Sequence, residues 1–339
     1  MSAKSVRVAI IGAGAWGTTL ALLAARAGGR VSLWVRDPTE AVSIRANREN
    51  VRFLPRVPLP PNIVITSDVE EACDAASLIV FVVPSRSMRL NARLVAPYLG
   101  AACVVSAAKG LEASTFLRMT EVLDQELGPG LQGRIGAISG PNLAREIAEG
   151  KPAATVIAGS KAVVDQTREA LMSPRFRCYS SDDVVGVEVG GALKNVYAIG
   201  AGIGDQLEAG DNAKAAFVNR SIVEIARLGT ALGARPLTFA GLAGLGDLLA
   251  TCASSLSRNN RVGRRLAAGE ALPHILASMD QVAEGVVTTE VARELSRLRG
   301  VEMPIVEQMA AVLFEGRSPS QAIAALMERD AREELEGWA

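Results

Sequence analysis

The sequence predicts two domains: an α/β domain over residues 1–182, built on a parallel sheet, and an all-α domain over residues 183–339. Three observations carry this. At 339 residues the chain exceeds what one ordinary hydrophobic core organises. In its first half, short β-branched runs alternate with helical patterns, as parallel strands joined by crossover helices do. After about Ser181 the strand patterns stop, and windows rich in Ala, Leu and Gly continue to the C-terminus.

The expected strands are Val6–Ile11, Val31–Val35, Ile63–Thr66, Leu78–Val83, Cys103–Ala107, Ile135–Ser139, Ala154–Ala158 and Arg175–Tyr179. Helical patterns fall at 15–28, 86–97, 115–127, 142–149 and 161–172. The stretch from 36 to 62 is longer and closes with LPRVPLPPN, where the prolines rule out regular structure. Neither an internal repeat nor a low-complexity segment interrupts this order.

Composition narrows the partners. Lys plus Arg and Asp plus Glu are each 36, so the formal net charge is zero and no nucleic-acid or membrane-surface footprint is expected. An anionic ligand should then be small and held by a local cluster. The N-terminus runs from MSAKS directly into an apolar strand without a signal-peptide core, and LIVFVV at 78–83 is too short to span a bilayer. Cys73, Cys103, Cys178 and Cys252 are scattered without zinc-ligand spacing and read as buried thiols of a reducing cytoplasm. His274, the single histidine, lies in a polar stretch and reads as a surface residue. No metal site and no Ser-His-Asp triad are expected.

The first strand leads directly into Gly12-Ala-Gly14-Ala15-Trp16-Gly17 and then a helical pattern. Strand, G-x-G-x-x-G turn and helix in that order form the Rossmann-like dinucleotide fingerprint. Gly12 permits the tight turn, Gly14 lets backbone approach a pyrophosphate, and Gly17 allows close packing of helix on strand. The helix N-terminus offers its N–H groups to the anion. Glycine clusters at 200–204 and 241–246 follow no strand and read as helix ends or close-packing sites. The second strand ends in Arg36-Asp37. The Arg36 guanidinium suits a 2′-phosphate or an adenine face, and Asp37 suits a helix cap before Pro38. This favours NADP(H) and leaves NAD(H) open. Pro84-Ser85, Lys109-Gly110 and Gly140-Pro141-Asn142 all follow strands, at the carboxyl edge where open parallel sheets bind ligands.

Lys194 stands out in the second half. From Val184 to Gly204 only Glu188 and Lys194 are charged. The chain carries six lysines against thirty arginines, so a position needing mere positive charge would usually carry arginine. Arginine cannot give up its proton, whereas a lysine can when its surroundings shift its pKa. Lys194, followed by Asn195, therefore reads as a proton-handling group beside a hydrogen-bonding amide. Asp247 and Thr251, four apart, share a helix face. Ser257-Arg258-Asn259 marks a helix start where a guanidinium suits bidentate phosphate binding, while Arg264 and Arg265 read as a solvated basic face. The chemistry these residues fit is hydride transfer to a carbonyl. Lys194 would supply the proton, and Lys109, Asn195 and Asp247 would fix its geometry and charge.

On these motifs the chain resembles the bacterial-type NAD(P)-dependent glycerol-3-phosphate dehydrogenases. The resemblance runs in order through GAGAWGTTLA, LWVRDP, FVVPS, AKGLE, ISGPNLAREI, GGALKNVYAIGAGI, GLAGLGDLLATC, SSLSRNNRVG and EGVVTT. It implies interconversion of dihydroxyacetone phosphate and sn-glycerol 3-phosphate for phospholipid synthesis, in the cytoplasm, by a homodimer. It also implies an all-α domain like the C-terminal domain of 6-phosphogluconate dehydrogenases. Lys194 becomes the proton donor and acceptor, and Lys109 a contact to substrate and cofactor. Gly140, Asn142, Asp247, Ser257, Arg258 and Asn259 become substrate contacts. Trp16, Arg36, Ala144, Val282 and Glu284 complete the dinucleotide site with the glycine turn and Ala15, and Arg258 also reaches the cofactor. Gln206 and Glu208 depart from the smaller or apolar residues common after the lysine helix, and Ser221 stands where glycine is typical. The alternatives are another 6-phosphogluconate-type hydroxyacid dehydrogenase and a non-catalytic NADP(H)-sensing protein.

Overall fold

The computed structural model describes residues 6–279, 282–330 and 333. The chain divides into two compact units, one of residues 1–108 and 119–184, the other of residues 109–118 and 185–339. The excursion at 109–118, which lies inside the first segment expected from sequence, thus belongs with the second unit.

The first unit contains eight strands: β1 (Arg7–Ile11), β2 (Arg30–Trp34), β3 (Ile63–Thr66), β4 (Leu78–Phe81), β5 (Cys103–Ser106), β6 (Ile135–Ser139), β7 (Ala153–Ala158) and β8 (Phe176–Ser181). Its helices are α1 (Ala15–Arg26), α2 (Pro38–Asn47), α3 (Val69–Cys73), α4 (Met88–Val95), α5 (Met119–Leu127), α6 (Ala144–Ala148) and α7 (Lys161–Leu171). The strands form one sheet in the order β3-β2-β1-β4-β5-β6-β7-β8. Its first six positions follow the doubly wound dinucleotide-binding order. Every residue of β4 and β5 is buried, which is why their sequences read as unbroken apolar runs. The sheet is not wholly parallel. β7 runs antiparallel to β6, and β8 then runs parallel to β7. Local chemistry accounts for the reversal. Gly140 adopts φ +141° after β6, and the Asn142 amide donates to the Ala154 carbonyl at 3.1 Å. The chain is thereby turned back beside the strand it has just left.

The second unit is helical: α8 (Val184–Gln206), α9 (Asp211–Ala231), α10 (Asp247–Ala253), α11 (Arg258–Ala267), α12 (Leu272–Ala277), α13 (Glu284–Arg299), α14 (Pro304–Phe314) and α15 (Pro319–Met327). α8 is its core helix, with 17 of 23 residues buried, and its sequence is apolar on all sides, as a buried helix requires. Backbones approach it very closely. A Cβ on Gly202 would stand 2.0 Å from the Asn260 carbonyl oxygen, and one on Gly263 would stand 1.9 Å from that of Ile199. At Gly190 the same test meets the Ala243 carbonyl at 2.6 Å. Within the two glycine clusters, Gly200, Gly202 and Gly244 serve close packing, a Cβ on Gly200 standing 2.5 Å from the Phe217 ring and one on Gly244 standing 2.1 Å from the Phe239 carbonyl oxygen.

A buried carboxylate joins three helices of this unit. Glu224 on α9, 2 % exposed, accepts from the Tyr197 hydroxyl of α8 at 3.2 Å and from the Ile305 N–H at the start of α14 at 2.7 Å. Burial pushes its pKa up to about 7, against the lowering pull of the Ile305, Val306 and Tyr197 donors. The folded state therefore binds a proton that the unfolded state releases between pH 4.5 and 7. The resulting stabilisation is complete below the ordinary carboxyl value and is lost as pH rises through 7. Glu224→Gln is expected to remove this slope, on the order of a few kcal/mol. Urea unfolding of both proteins at pH 5 and pH 8 checks it: the variant should gain on the wild type as pH rises.

Candidate active site

In the first unit the turn after β1 has the form a dinucleotide requires. Gly12 takes φ +115°, and a Cβ there would lie 2.6 Å from the Val82 carbonyl. A Cβ on Gly17 would lie 1.9 Å from the Gly12 carbonyl, so only glycine lets α1 begin this close to the strand. At Gly14, by contrast, a Cβ would meet nothing within 4 Å. Gly14 is the N-cap of α1, no side chain caps that helix, and its first turn carries no acid. An unobstructed backbone at an uncapped helix N-terminus fits a pyrophosphate. Trp16 is half-buried, its ring 6.5 Å from that of Phe176. Arg36 is exposed one residue beyond β2, after the buried Val35. Asp37 caps α2, its Oδ1 accepting from the Thr39 N–H at 2.8 Å. The acidic residue next to Arg36 is therefore engaged with the helix, which leaves the guanidinium as the group able to meet an adenosine 2′-substituent.

Gly140, Asn142 and Ala144 follow β6 in the same unit. The Asn142 side chain is tied at both ends to β7, donating to the Ala154 carbonyl and accepting from the Thr155 hydroxyl at 3.0 Å. The Ala144 carbonyl accepts from the Thr19 hydroxyl at 3.1 Å, linking α6 to α1.

The second unit holds the proton-handling group. The Lys194 ammonium, buried on α8, donates to the Asp247 carboxylate in a short contact and to the Thr251 hydroxyl at 2.6 Å. Asp247 is 1 % exposed at the first position of α10, which continues the helical turn of residues 242–246. Thr251, one turn on, donates its own proton to the Asp247 backbone carbonyl at 2.6 Å, so its lone pairs face the lysine. The other Asp247 oxygen takes Lys109 at 2.6 Å. Two ammonium groups thus share one buried carboxylate. Burial depresses the Lys194 pKa to about 7; Asp247 opposes the shift and the neighbouring Lys109 charge adds to it. A group that exchanges protons near neutrality suits general acid/base work.

An amide relay runs beside this cluster. Asn195 donates to the Lys109 carbonyl at 3.2 Å, Asn259 donates to the Asn195 side-chain oxygen at 2.9 Å, and the Gly285 N–H donates to Asn259 at 3.0 Å. Lys109, Asn195, Asn259 and the start of α13 are held in one chain, with Glu284 at the first position of α13 and Val282 just before it. Ser257 caps α11 by accepting from the Asn260 N–H at 3.2 Å. Arg258, exposed at the first position of that helix, lies in the field of Glu284. Arg264 is committed elsewhere, donating to Asp205 at 2.8 Å and to Asn260 at 2.9 Å.

One partner of the cluster, Thr251, and one ion-pair residue elsewhere in the same unit, Arg118, are absent from the sequence-derived site. Thr251 was visible only as the fourth residue after Asp247. Arg118 was not visible at all. It meets Glu188 at 2.8 Å with both side chains largely buried, which accounts for the second charge in the apolar stretch of α8.

Comparison with known proteins adds independent findings. A family model described as the NAD-dependent glycerol-3-phosphate dehydrogenase N-terminus matches residues 7–164, and the corresponding C-terminus model matches residues 183–324. A protein of Citrifermentans bemidjiense named glycerol-3-phosphate dehydrogenase (NAD(P)+) is 46% identical over 97% of this chain and 98% of its own. One of the same name from Koribacter versatilis is 47% identical over 97% of this chain and 99% of its own. The crystal structure of glycerol-3-phosphate dehydrogenase from Coxiella burnetii superposes with a TM-score of 0.89 at 34% identity, covering 96% of this chain and 99% of that one.

Proposed function

Because this chain belongs to the NAD(P)-dependent glycerol-3-phosphate dehydrogenases, we propose that it interconverts dihydroxyacetone phosphate and sn-glycerol 3-phosphate with NADP(H) or NAD(H). The observation that carries this reading is the buried Lys194 ammonium, held by Asp247 and Thr251 with Lys109 on the same carboxylate. A nicotinamide, when bound, supplies the hydride or takes it back. In the reducing direction the substrate carbonyl oxygen gathers charge, and Lys194 gives it a proton. In the oxidising direction Lys194 takes the hydroxyl proton. Asp247 and Thr251 hold the Lys194 nitrogen in one place through either proton state. Lys109 adds a second positive charge that stabilises developing negative charge.

The uncapped glycine turn at Gly12, Gly14, Ala15, Trp16 and Gly17 supports dinucleotide binding, and exposed Arg36 supports a preference for the 2′-phosphate form. Gly140, Asn142 and Ala144 remain assigned by resemblance. The Asn142 side chain acts there through the backbone it ties, because both of its ends are engaged. On the second unit, Ser257 and Asn259 set the start of α11, whose first position places Arg258 for a phosphate. Val282 and Glu284 keep the cofactor role that the resemblance gives them. A homodimer in the cytoplasm is the proposed setting. Family resemblance supports the dimer, and four buried free thiols suit a reducing compartment. Among the described residues no helix is long and apolar enough to cross a membrane.

The test is loss of nicotinamide absorbance with dihydroxyacetone phosphate and either NADPH or NADH. No turnover with either would overturn the assignment, and the ratio of the two rates reads the role of Arg36. In the same assay Arg258→Ala is expected to raise KM for dihydroxyacetone phosphate by about tenfold or more, as loss of a charge-assisted contact does. A non-phosphorylated ketone should be affected little. Equal changes for both would remove Arg258 from phosphate recognition.

A further inference from the structure

Between α2 and β3 the chain runs through residues 48–62 without regular structure, yet this stretch is firmly fixed. Arg48, in left-handed backbone at φ 49°, turns its guanidinium inward to the carbonyls of Leu59 at 3.3 Å, Ile63 at 3.1 Å and Pro60. Leu54 packs with Leu22 of α1, Val57 and Ala148. At the head of the stretch lies Asn50, 1 % exposed. Its amide nitrogen donates to the Ala13 carbonyl at 2.7 Å and to the Thr18 hydroxyl at 2.8 Å, and its oxygen accepts from the Phe53 N–H at 3.2 Å.

Ala13 is the residue between the first two glycines of the turn, and its carbonyl shares a peptide plane with the Gly14 N–H. In a trans peptide those two groups point in opposite directions. Fixing the carbonyl against Asn50 therefore aims the Gly14 N–H the other way. Rotation of that plane turns ψ of Ala13 together with φ of Gly14, and on its Gly14 side the glycine offers little torsional resistance. Locally that carbonyl has only the Thr18 hydroxyl, at 3.4 Å; Asn50 supplies the shorter bond at 2.7 Å from 37 residues away and also holds that hydroxyl.

We infer that Asn50 is a positioning residue for the cofactor pyrophosphate: from the 48–62 loop it holds the Ala13–Gly14 peptide in the orientation that presents the Gly14 N–H to the anion. The inference rests on the dinucleotide-binding reading of the turn. It assigns Asn50 no contact with the cofactor and no part in the chemistry. Because the pyrophosphate is common to both cofactors, the effect of Asn50 must be the same for NADPH and NADH.

The test measures Kd for NADPH and for NADH by nicotinamide fluorescence, with steady-state kinetics, for wild type, Asn50→Ala and Asn50→Asp. Loss of the clamp is expected to weaken both cofactors by the same factor, ~10–100-fold, as removal of a buried hydrogen-bond partner does. KM for the cofactor should rise with it, while kcat at saturation stays within about threefold. Asn50→Asp keeps the acceptor for the Phe53 N–H but sets an anion against the Ala13 carbonyl, so it should bind at least as weakly as Asn50→Ala. If Asn50→Ala does not fold, the Asp variant is held to the same criterion. Unchanged Kd in a folded variant, a fall in kcat without a change in Kd, or a change in the NADPH-to-NADH ratio would each overturn the role given to Asn50. Failure of the wild type to bind either cofactor would instead overturn the dinucleotide reading.

Discussion

Lys194→Ala is expected to lower turnover of dihydroxyacetone phosphate by about two to four orders of magnitude, the usual worth of a positioned general acid. NADPH affinity should stay within a few-fold of wild type, because the glycine turn belongs to a different structural unit from the lysine. The wild type should also show opposite pH dependence in its two directions. Burial, with help from Lys109, brings the Lys194 pKa down to about 7. Reduction needs the ammonium and should fall as pH rises through that value; oxidation needs the neutral amine and should rise. Lys194→Arg keeps the charge but cannot release the proton, so it should not rescue activity. Turnover in Lys194→Ala close to wild type would remove the residue from the proton step.

Asp247→Asn is expected to have the second largest effect, on stability and pH profile together. The substitution leaves the Lys109 and Lys194 ammonium groups without the carboxylate they share. Breaking a buried pair by removing one partner costs about 3–5 kcal/mol. Part of that cost is escaped if Lys194 becomes neutral, and this gives the variant its signature. Asp247 is the group that raises the Lys194 pKa against burial. Without it the lysine should titrate about one to three units lower. The pH above which reduction fails should move acid by that amount, with a lower melting temperature at neutral pH. A stable variant with an unmoved pH profile would show that the carboxylate does not set the charge state of the lysine.

How much of this was legible in the sequence depends on the range of the physics involved. The glycine turn was legible because strand, turn and helix are consecutive, and each glycine answers a local steric demand, as the 1.9 Å approach at Gly17 shows. Lys194 was legible because a charge in an apolar helix costs several kcal/mol unless it is paired, so its presence signals a partner. The identity of that partner was only half legible. Asp247 and Thr251 stand one turn apart, which places them on a common face and says nothing about what they face. Strand direction was not legible at β7, since periodicity is the same in parallel and antiparallel strands; the reversal is held by contacts such as Asn142 to Ala154 and Thr155 to Ser139, after Gly140 in a glycine-favoured conformation. Asn50 and Arg118 were invisible for the same reason. Their partners lie 37 and 70 residues away in the sequence, and nothing in the residues between them marks the meeting. Arg264 and Arg265 read as solvated charge, yet each is paired, with Asp205 and Glu270 respectively.

The excursion at residues 109–118 bears on how this protein can be divided and inherited. The polypeptide crosses from one unit to the other after Ala108, returns after Arg118 and crosses again after Val184. Leu111 is part of the second unit's core and Phe116 packs against it, although both are encoded within the stretch that otherwise builds the first. A fragment starting at Val185 would lack Lys109 and would keep Glu188 buried on α8 without its Arg118 counter-ion. The second unit is therefore not a module that a single recombination or a single proteolytic cut can transplant. Any donor sequence must bring a matching ten-residue insert into the first unit.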